Sequence, residues 1–350
     1  MSIINKPVND AWFLTGFFIL FFLLSGCGTQ KVAPIVLSGQ TMGTTYHITL
    51  ANIQSDATSE VLQKEIDQLL VDVNQSFSTY IDSSEVSLLN KYKGTDGQLK
   101  SAPFIEVLAE ALRISRLTGG AYDITVGPLV NLWGFGPTFK EDNPPSADDI
   151  SDALNSVGYK NISLEQDKRL VKKLKPEMYI DFSSIAKGYG VDQVAKFIES
   201  KGFMDYMVEI GGEMRVRGNN PNGTKWRIAV EKPESSKRAI QRVINLSDIS
   251  MATSGDYRNF FIKDGVQFSH TIDPTTGSPV QHNLASVTVL ATSSMTADAL
   301  ATAFMVLGEK KGYDLAVENK LAVLFLLKDG GSFKEVMTPS FQKLLEGPAL

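Results

Sequence analysis

The sequence agrees with an α+β fold: a strand-rich second half follows a first part richer in helical patterns. A helical apolar period dominates the first part of the chain, as in Val61, Leu62, Ile66, Leu69, Leu70 and Val73. Beyond residue 206 period-two alternation takes over, in stretches 206–210, 214–217, 226–230 and 239–246. A long apolar helix over 293–308 then follows one more strand.

The elements follow in order. Gly39 to Thr45 leads into an alternating strand over 46–50, and a helix is expected over 59–75. Asp82 and Ser83 are placed to cap a short helix through Leu89. Pro103 opens the next helix at a first-turn position where its missing N–H does no harm, and Gly119-Gly120 ends it. In the stretch 121–135, Asp123 either holds something polar in a turn or caps the next short helix. Ser146 and Asp149 read as a capping box for a helix ending near Ser156. Two short strands around Asp167-Lys168 precede a strand over 178–182, which feeds a helix opening at Ser183 and running to about 200. Gly188 and Gly190 weaken that helix unless something must come close to it. The stretch 211–213 is a turn, and the segment after the 293–308 helix supplies a last helix and two strands.

Composition sets the class. Of 350 residues 43% are hydrophobic and 21% charged, ordinary for a folded body with ample core. A net charge of −5, with no run of Lys and Arg, argues against a nucleic-acid partner. The N-terminus is a separate object: a leader containing Lys6, then an apolar run over 11–24 ending at Leu24-Ser25-Gly26-Cys27. That run is shorter than the roughly 20 residues of a spanning helix and has the length of a signal-peptide core. Leu-Ser-Gly-Cys resembles the bacterial lipoprotein cleavage box. It implies that 1–26 are removed as a signal peptide, that Cys27 is lipidated, and that 27–38 tether a body over 39–350. The expected address is the bacterial cell envelope, lipid-anchored and facing the periplasm, with the inner membrane favoured. An uncleaved anchor is the alternative. Cys27 is the only cysteine, so neither a disulfide nor thiol chemistry is expected in the body.

Chemistry concentrates in two helices and one turn. In the 293–308 helix, Ser293 or Ser294 can cap the start and Gly308 can close the end. Asp298 and Thr302 stand four apart, on one face, in otherwise apolar surroundings. An ionised carboxylate there needs a cation or a donor, and the two side chains are hard oxygen ligands of the sort that hold Mg²⁺ beside phosphates. The same pair also reads as a helix-start acid satisfied by backbone N–H groups and a threonine bonded back to a carbonyl. Asp181, Ser183, Ser184 and Lys187 surround the start of the other helix, a place that favours anions. His270 stands just before the turn at Asp273-Pro274.

These residues fall in blocks: Thr41-Met42-Gly43-Thr44, Ser78-Thr79-Tyr80, Ala121-Tyr122-Asp123, the run from Asp181 to Gly188, Gly211-Gly212-Glu213, His270-Thr271-Ile272-Asp273-Pro274 with Thr276-Gly277, and Thr296-Ala297-Asp298-Ala299 with Thr302. In this order and spacing they resemble the ApbE family of FAD:protein FMN transferases. The resemblance covers nearly all of the chain after the leader. It implies a tunnelling-fold-like α+β body and a Mg²⁺-dependent enzyme that moves FMN from FAD to a threonine or serine hydroxyl and releases AMP. By position, it implies that Met42, Tyr80, Ala121, Tyr122, Asp123, Asp181, Lys187 and Ile272 contact FAD, and that Ser184, Asp298 and Thr302 bind the metal. Flavin-carrying subunits of membrane redox complexes are the implied acceptors. For the base that takes the hydroxyl proton, His270 is the candidate, with Asp273 as its orienter or substitute. A metal-dependent FAD pyrophosphatase and a non-catalytic FAD-binding lipoprotein are the rival readings.

Overall fold

The structure is a computed structural model that describes residues 33–52, 58–137, 143–234, 239–257 and 259–346. The expected signal peptide and Cys27 lie outside the described residues. Fifteen strands are described: β1 (Ile35–Thr41), β2 (Thr44–Ala51), β3 (Gln98–Leu99), β4 (Ile162–Glu165), β5 (Leu170–Lys173), β6 (Asp205–Ile210), β7 (Glu213–Arg217), β8 (Trp226–Glu231), β9 (Ile240–Leu246), β10 (Ile249–Gly255), β11 (Phe260–Lys263), β12 (Val266–Ser269), β13 (Leu284–Ala291), β14 (Ala322–Asp329) and β15 (Ser332–Met337). The described helices are α1 (Ser59–Phe77), α2 (Glu85–Lys91), α3 (Ala102–Leu117), α4 (Gly127–Leu132), α5 (Ala147–Leu154), α6 (Ala186–Ser200), α7 (Ser294–Glu318) and α8 (Pro339–Glu346).

An eight-stranded sheet in the order β1-β2-β6-β7-β10-β13-β14-β15 forms the frame, with every neighbouring pair antiparallel. Period-two alternation sorts its side chains. Val323, Phe325 and Leu327 of β14 join the core under α7, while Ala322, Leu324 and Leu326 join a second core with the β8–β9 hairpin and Phe341 of α8. Tyr46, Ile48 and Leu50 of β2 and Tyr206, Val208 and Ile210 of β6 pack with Leu62, Ile66 and Leu70 of α1. The mixed α+β class implied by the resemblance, and agreeing with the strand-rich second half, is the one observed.

Several elements differ from expectation, each for a local reason. β1 begins at Ile35, inside the stretch read as tether, because residues 35–41 pair in register with 44–50. Ser84, not Asp82 or Ser83, caps α2: its side chain accepts from the Ser87 N–H at 3.1 Å. Residues 178–182 are not a strand. Asn90 replaces the ladder there, its Oδ1 accepting from the Ile180 N–H at 2.7 Å and its Nδ2 donating to the Ile180 carbonyl at 2.9 Å. Helix α6 starts at Ala186, with no side-chain cap from Ser183. The helix over 293–308 does break at Gly308, as expected: that residue leaves helical geometry at φ 73° and ψ 179°, and a second helical segment of α7 runs on to Glu318. The carbonyl of Met305, near that break, accepts from His282 Nε2 at 2.7 Å. That second segment and the two final strands are the elements expected after 308, and α8 follows them.

Candidate active site

The site is built where α6 crosses α7. Gly188 lies in the first turn of α6, and a Cβ there would stand 2.3 Å from the Ser294 carbonyl oxygen and 2.8 Å from the Met295 Cα. Glycine lets the backbones approach. The expectation that something must come close to Gly188 is met by the neighbouring helix. The approach is locked in both directions. Asp298 of α7 accepts the Gly188 N–H on Oδ2 at 3.0 Å. Asp192 of α6 in turn accepts from Ser293 Oγ at 2.7 Å and from the Ser294 and Met295 N–H groups at 3.0 Å each. Ser293 itself caps α7 on the Thr296 N–H.

This crossing sets Asp298 beside Lys187. The remaining carboxylate oxygen, Oδ1, lies 3.8 Å from Lys187 Nζ, while Glu213 Oε1 pairs with the same ammonium at 2.8 Å. Glu213 is placed by the β6–β7 hairpin, whose Gly211 and Gly212 both hold positive φ (60° and 106°) and so suit glycine. The Asp298 and Glu213 side chains are only 3% and 4% exposed, so neither is a solvated surface acid. Burial raises the pKa of both, Glu213 up to about 7, against the opposing pull of the ammonium. Burial also works against the charge on Lys187, but the two carboxylates outweigh it and hold that pKa above the usual lysine range.

A second layer gathers around Tyr122, which is buried. Ser184 Oγ donates to its hydroxyl at 3.1 Å. Burial raises the phenol pKa, and the charges of Asp298, Asp181 and Asp123 add to the rise, so three carboxylates share one neighbourhood. Asp123 does not cap α4. Its Oδ1 accepts from the Thr125 N–H and hydroxyl at 2.8 and 2.6 Å, and its Oδ2 from the Tyr159 N–H at 2.7 Å, so it holds a turn. Asp181 Oδ1 accepts the Ser183 N–H at 2.8 Å. Thr302 Oγ1 is 3.3 Å from Ser254 Oγ of β10.

The remaining sequence-predicted residues sit around this centre or apart from it. Met42 occupies the β1–β2 turn at φ 49°, with its methyl against Gly190 of α6. Ala121 closes the turn after α3, donating its N–H to the Thr118 carbonyl. Tyr80 is 72% exposed, and its phenol feels the charge of Asp181. Ile272 is buried in a small cluster with Leu129, Trp133 and Phe261. His270 is half-buried, and Nδ1 lies 3.0 Å from the Asn259 carbonyl. Because a carbonyl only accepts, Nδ1 carries the proton and Nε2 keeps its lone pair. Burial lowers the imidazole pKa, and the Lys187 charge pushes the same way. Asp273 is not its orienter. The Asp273 Oδ1 accepts the Thr275 N–H at 2.7 Å within the turn, and the Asn259 carbonyl does the orienting.

The donor chemistry suits a magnesium-type ion. Among the described residues no three His, Cys, Asp or Glu converge as a self-sufficient metal cage. One buried carboxylate with hydroxyls nearby is the sparse shell that such an ion accepts when waters and substrate phosphates complete it.

Residues 42–325 match the model of the ApbE family. The chain belongs to the ApbE family. It is 46% identical over 323 residues to the FAD:protein FMN transferase of Vibrio cholerae, covering 92% of this chain and 96% of that one. To the FAD:protein FMN transferase of Haemophilus influenzae it is 45% identical over 339 residues, 95% and 98% of the two chains. The solved structure of the flavin transferase ApbE from Vibrio cholerae superposes with a TM-score of 0.83, covering 89% of this chain and 98% of that one.

Reading the sequence alone passed over Asp192, Ser254 and Asn259, and gave Glu213 no role. Asp192 carried a usable signal: like Asp298, it is an acid on the apolar side of a helix. Asn259 acts through its backbone carbonyl, which no side-chain pattern reveals.

Proposed function

We propose that this protein is a Mg²⁺-dependent enzyme that transfers the FMN half of FAD to a threonine or serine hydroxyl of a target protein through a phosphoester bond, releasing AMP. The names of its relatives support flavin transfer. The observation in this chain that carries the reading is the buried Asp298, held by the Gly188 N–H and facing a lysine ammonium. The Gly188 bond uses only Oδ2, and the buried Oδ1 is left facing the ammonium at 3.8 Å with capacity for a cation.

Asp298, Thr302 and Ser184 hold the ion. When bound, Mg²⁺ supplies Lewis-acid neutralisation of the diphosphate oxygens. Lys187 presents a permanent positive charge to the same anion, because Asp298 and Glu213 keep it protonated. The acceptor hydroxyl oxygen forms a bond to the FMN phosphorus. The bond from that phosphorus to the bridging oxygen breaks, and AMP leaves with that oxygen. His270 takes the hydroxyl proton at Nε2, the nitrogen left free by the Nδ1 bond to Asn259. Met42, Tyr80, Ala121, Tyr122, Asp123, Asp181 and Ile272 shape the FAD site, and Asp273 shapes the turn after His270. The reading is completed by a lipidated Cys27, a body facing the periplasm, and acceptors among the flavin-carrying subunits of membrane redox complexes.

The test is to incubate the protein with FAD, Mg²⁺ and a candidate acceptor and follow AMP release and acceptor mass. An FMN adduct on a hydroxyl with AMP in equal amount is expected. Free FMN and AMP without an adduct would make the protein a pyrophosphatase, and intact FAD would refute an enzymatic role.

A further inference from the structure

The mechanism above uses Glu213 of the Gly211-Gly212-Glu213 block only to keep Lys187 protonated. Glu213 is buried, and its Oε2 has no hydrogen-bond partner among the described residues. A buried unpartnered carboxylate oxygen is costly, so its retention needs a reason. The partner of the other oxygen supplies one. Lys187 Nζ has two carboxylates to choose from and sits 2.8 Å from Glu213 but 3.8 Å from Asp298. Asp298 Oδ2 is already committed to the Gly188 N–H, so Oδ1 is the oxygen with capacity left, and it is the one facing the ammonium.

We propose that Glu213 is a positioning residue that sets the affinity of the cation site: it draws the Lys187 ammonium off Asp298 Oδ1 and leaves that oxygen open to a divalent ion. This inference rests on the metal reading given under Proposed function. The charge count favours the same arrangement. With both carboxylates ionised, they and the one ammonium leave the pocket at −1, which welcomes a divalent cation; without the Glu213 charge the pocket is neutral, and Lys187 closes onto Asp298 as an internal rival for the site. Glu213 is thereby distinct from a metal ligand, because its effect runs through the lysine.

The two possibilities separate by direct binding of Mn²⁺ to the full chain without FAD, read from the loss of the free-ion electron paramagnetic resonance signal. Glu213→Gln is expected to weaken Mn²⁺ binding about 10- to 100-fold, the usual cost of losing a residue that supports a metal ligand. Adding Lys187→Met to that variant is expected to restore binding to within a few-fold of the native level, since the rival is gone. Native-level binding by Glu213→Gln would overturn the inference. So would a double variant as weak as the single one, which would make Glu213 a ligand. Should Glu213→Gln fail to fold, as thermal unfolding would reveal, Lys187→Met alone is expected to bind Mn²⁺ more tightly than native, and weaker binding would overturn the inference. Native protein that binds no Mn²⁺ would remove the metal reading and this inference with it.

Discussion

Replacing Gly188 by alanine tests the helix crossing on which the site depends. The new Cβ would sit 2.3 Å from the Ser294 carbonyl oxygen and 2.6 Å from its carbon, far inside contact distance and against backbone rather than a yielding side chain. Overpacking of this kind costs about 1–3 kcal/mol, and a backbone neighbour places it near the upper end, about 3 kcal/mol. Parting the helices also stretches the 3.0 Å bond from the Gly188 N–H to the Asp298 carboxylate. A hydrogen bond to a charged group contributes roughly 1.5–3 kcal/mol, so the total loss is about 4.5–6 kcal/mol. At about 2 °C per kcal/mol for a chain of this length, the melting temperature should fall by roughly 9–12 °C. Calorimetry gives that number, and AMP release from FAD gives the functional one, which should fall further than stability alone explains because Asp298 moves. A Gly188→Ala protein melting within 2 °C of native with undiminished turnover would show that the crossing is not what places Asp298.

His270→Ala should lower turnover by about 10²- to 10⁴-fold without changing flavin affinity, as expected for loss of a general base. In the native protein, burial depresses this imidazole below the usual 6.5, so it is neutral at pH 7 and turnover should be lost only as pH falls through the lowered value; an acid limb that persists unchanged in His270→Ala would assign the proton elsewhere. Asp192→Ala removes the acceptor for two N–H groups and one hydroxyl at the start of α7. It should cost about 1–2 kcal/mol, read as a lower melting temperature, and an unchanged one would mean that water caps the helix equally well. Lys173 is 1% exposed and held by the carbonyls of Asn90, Pro176 and Met178, and burial lowers its pKa to about 8. Between that value and the unfolded 10.5 the unfolded chain binds the extra proton, so this lysine makes native stability rise with pH across the window. The stability difference between native and Lys173→Met, from denaturant titrations at pH 7.5 through about 10.5, should therefore shift toward native as pH rises, and a flat difference would contradict the burial.

The motif blocks and the strand-rich second half were enough to read the fold class, and the Asp298 and Thr302 spacing was enough to read one face of α7. What stayed hidden was whatever the chain decides at long range. The 178–182 segment has the composition of a strand, yet its backbone groups are claimed by Asn90, ninety residues earlier in sequence. Gly308 breaks the helix where the sequence places its end, but no local pattern shows that His282 takes the Met305 carbonyl or that helical geometry resumes to Glu318. Asp273 looked like a partner for His270 by proximity in sequence, and a carbonyl eleven residues upstream holds the ring instead. Lys187 and Asp298 were each legible as candidates, whereas the 2.8 Å pair with Glu213 depends on a hairpin delivering its third residue to a helix start.

The break at Gly308 also decides how disturbance spreads through α7. An uninterrupted helix behaves as a shaft, in which one inserted residue rotates everything beyond it by roughly 100°. Here the shaft has a joint after Leu307, pinned by His282, and both Asp298 and Thr302 stand on the near side of it. Evolution can therefore lengthen, shorten or repack the outer segment over 309–318 without turning the donor-bearing face of the inner segment away from α6, while an insertion between Asp298 and Thr302 dismantles the centre.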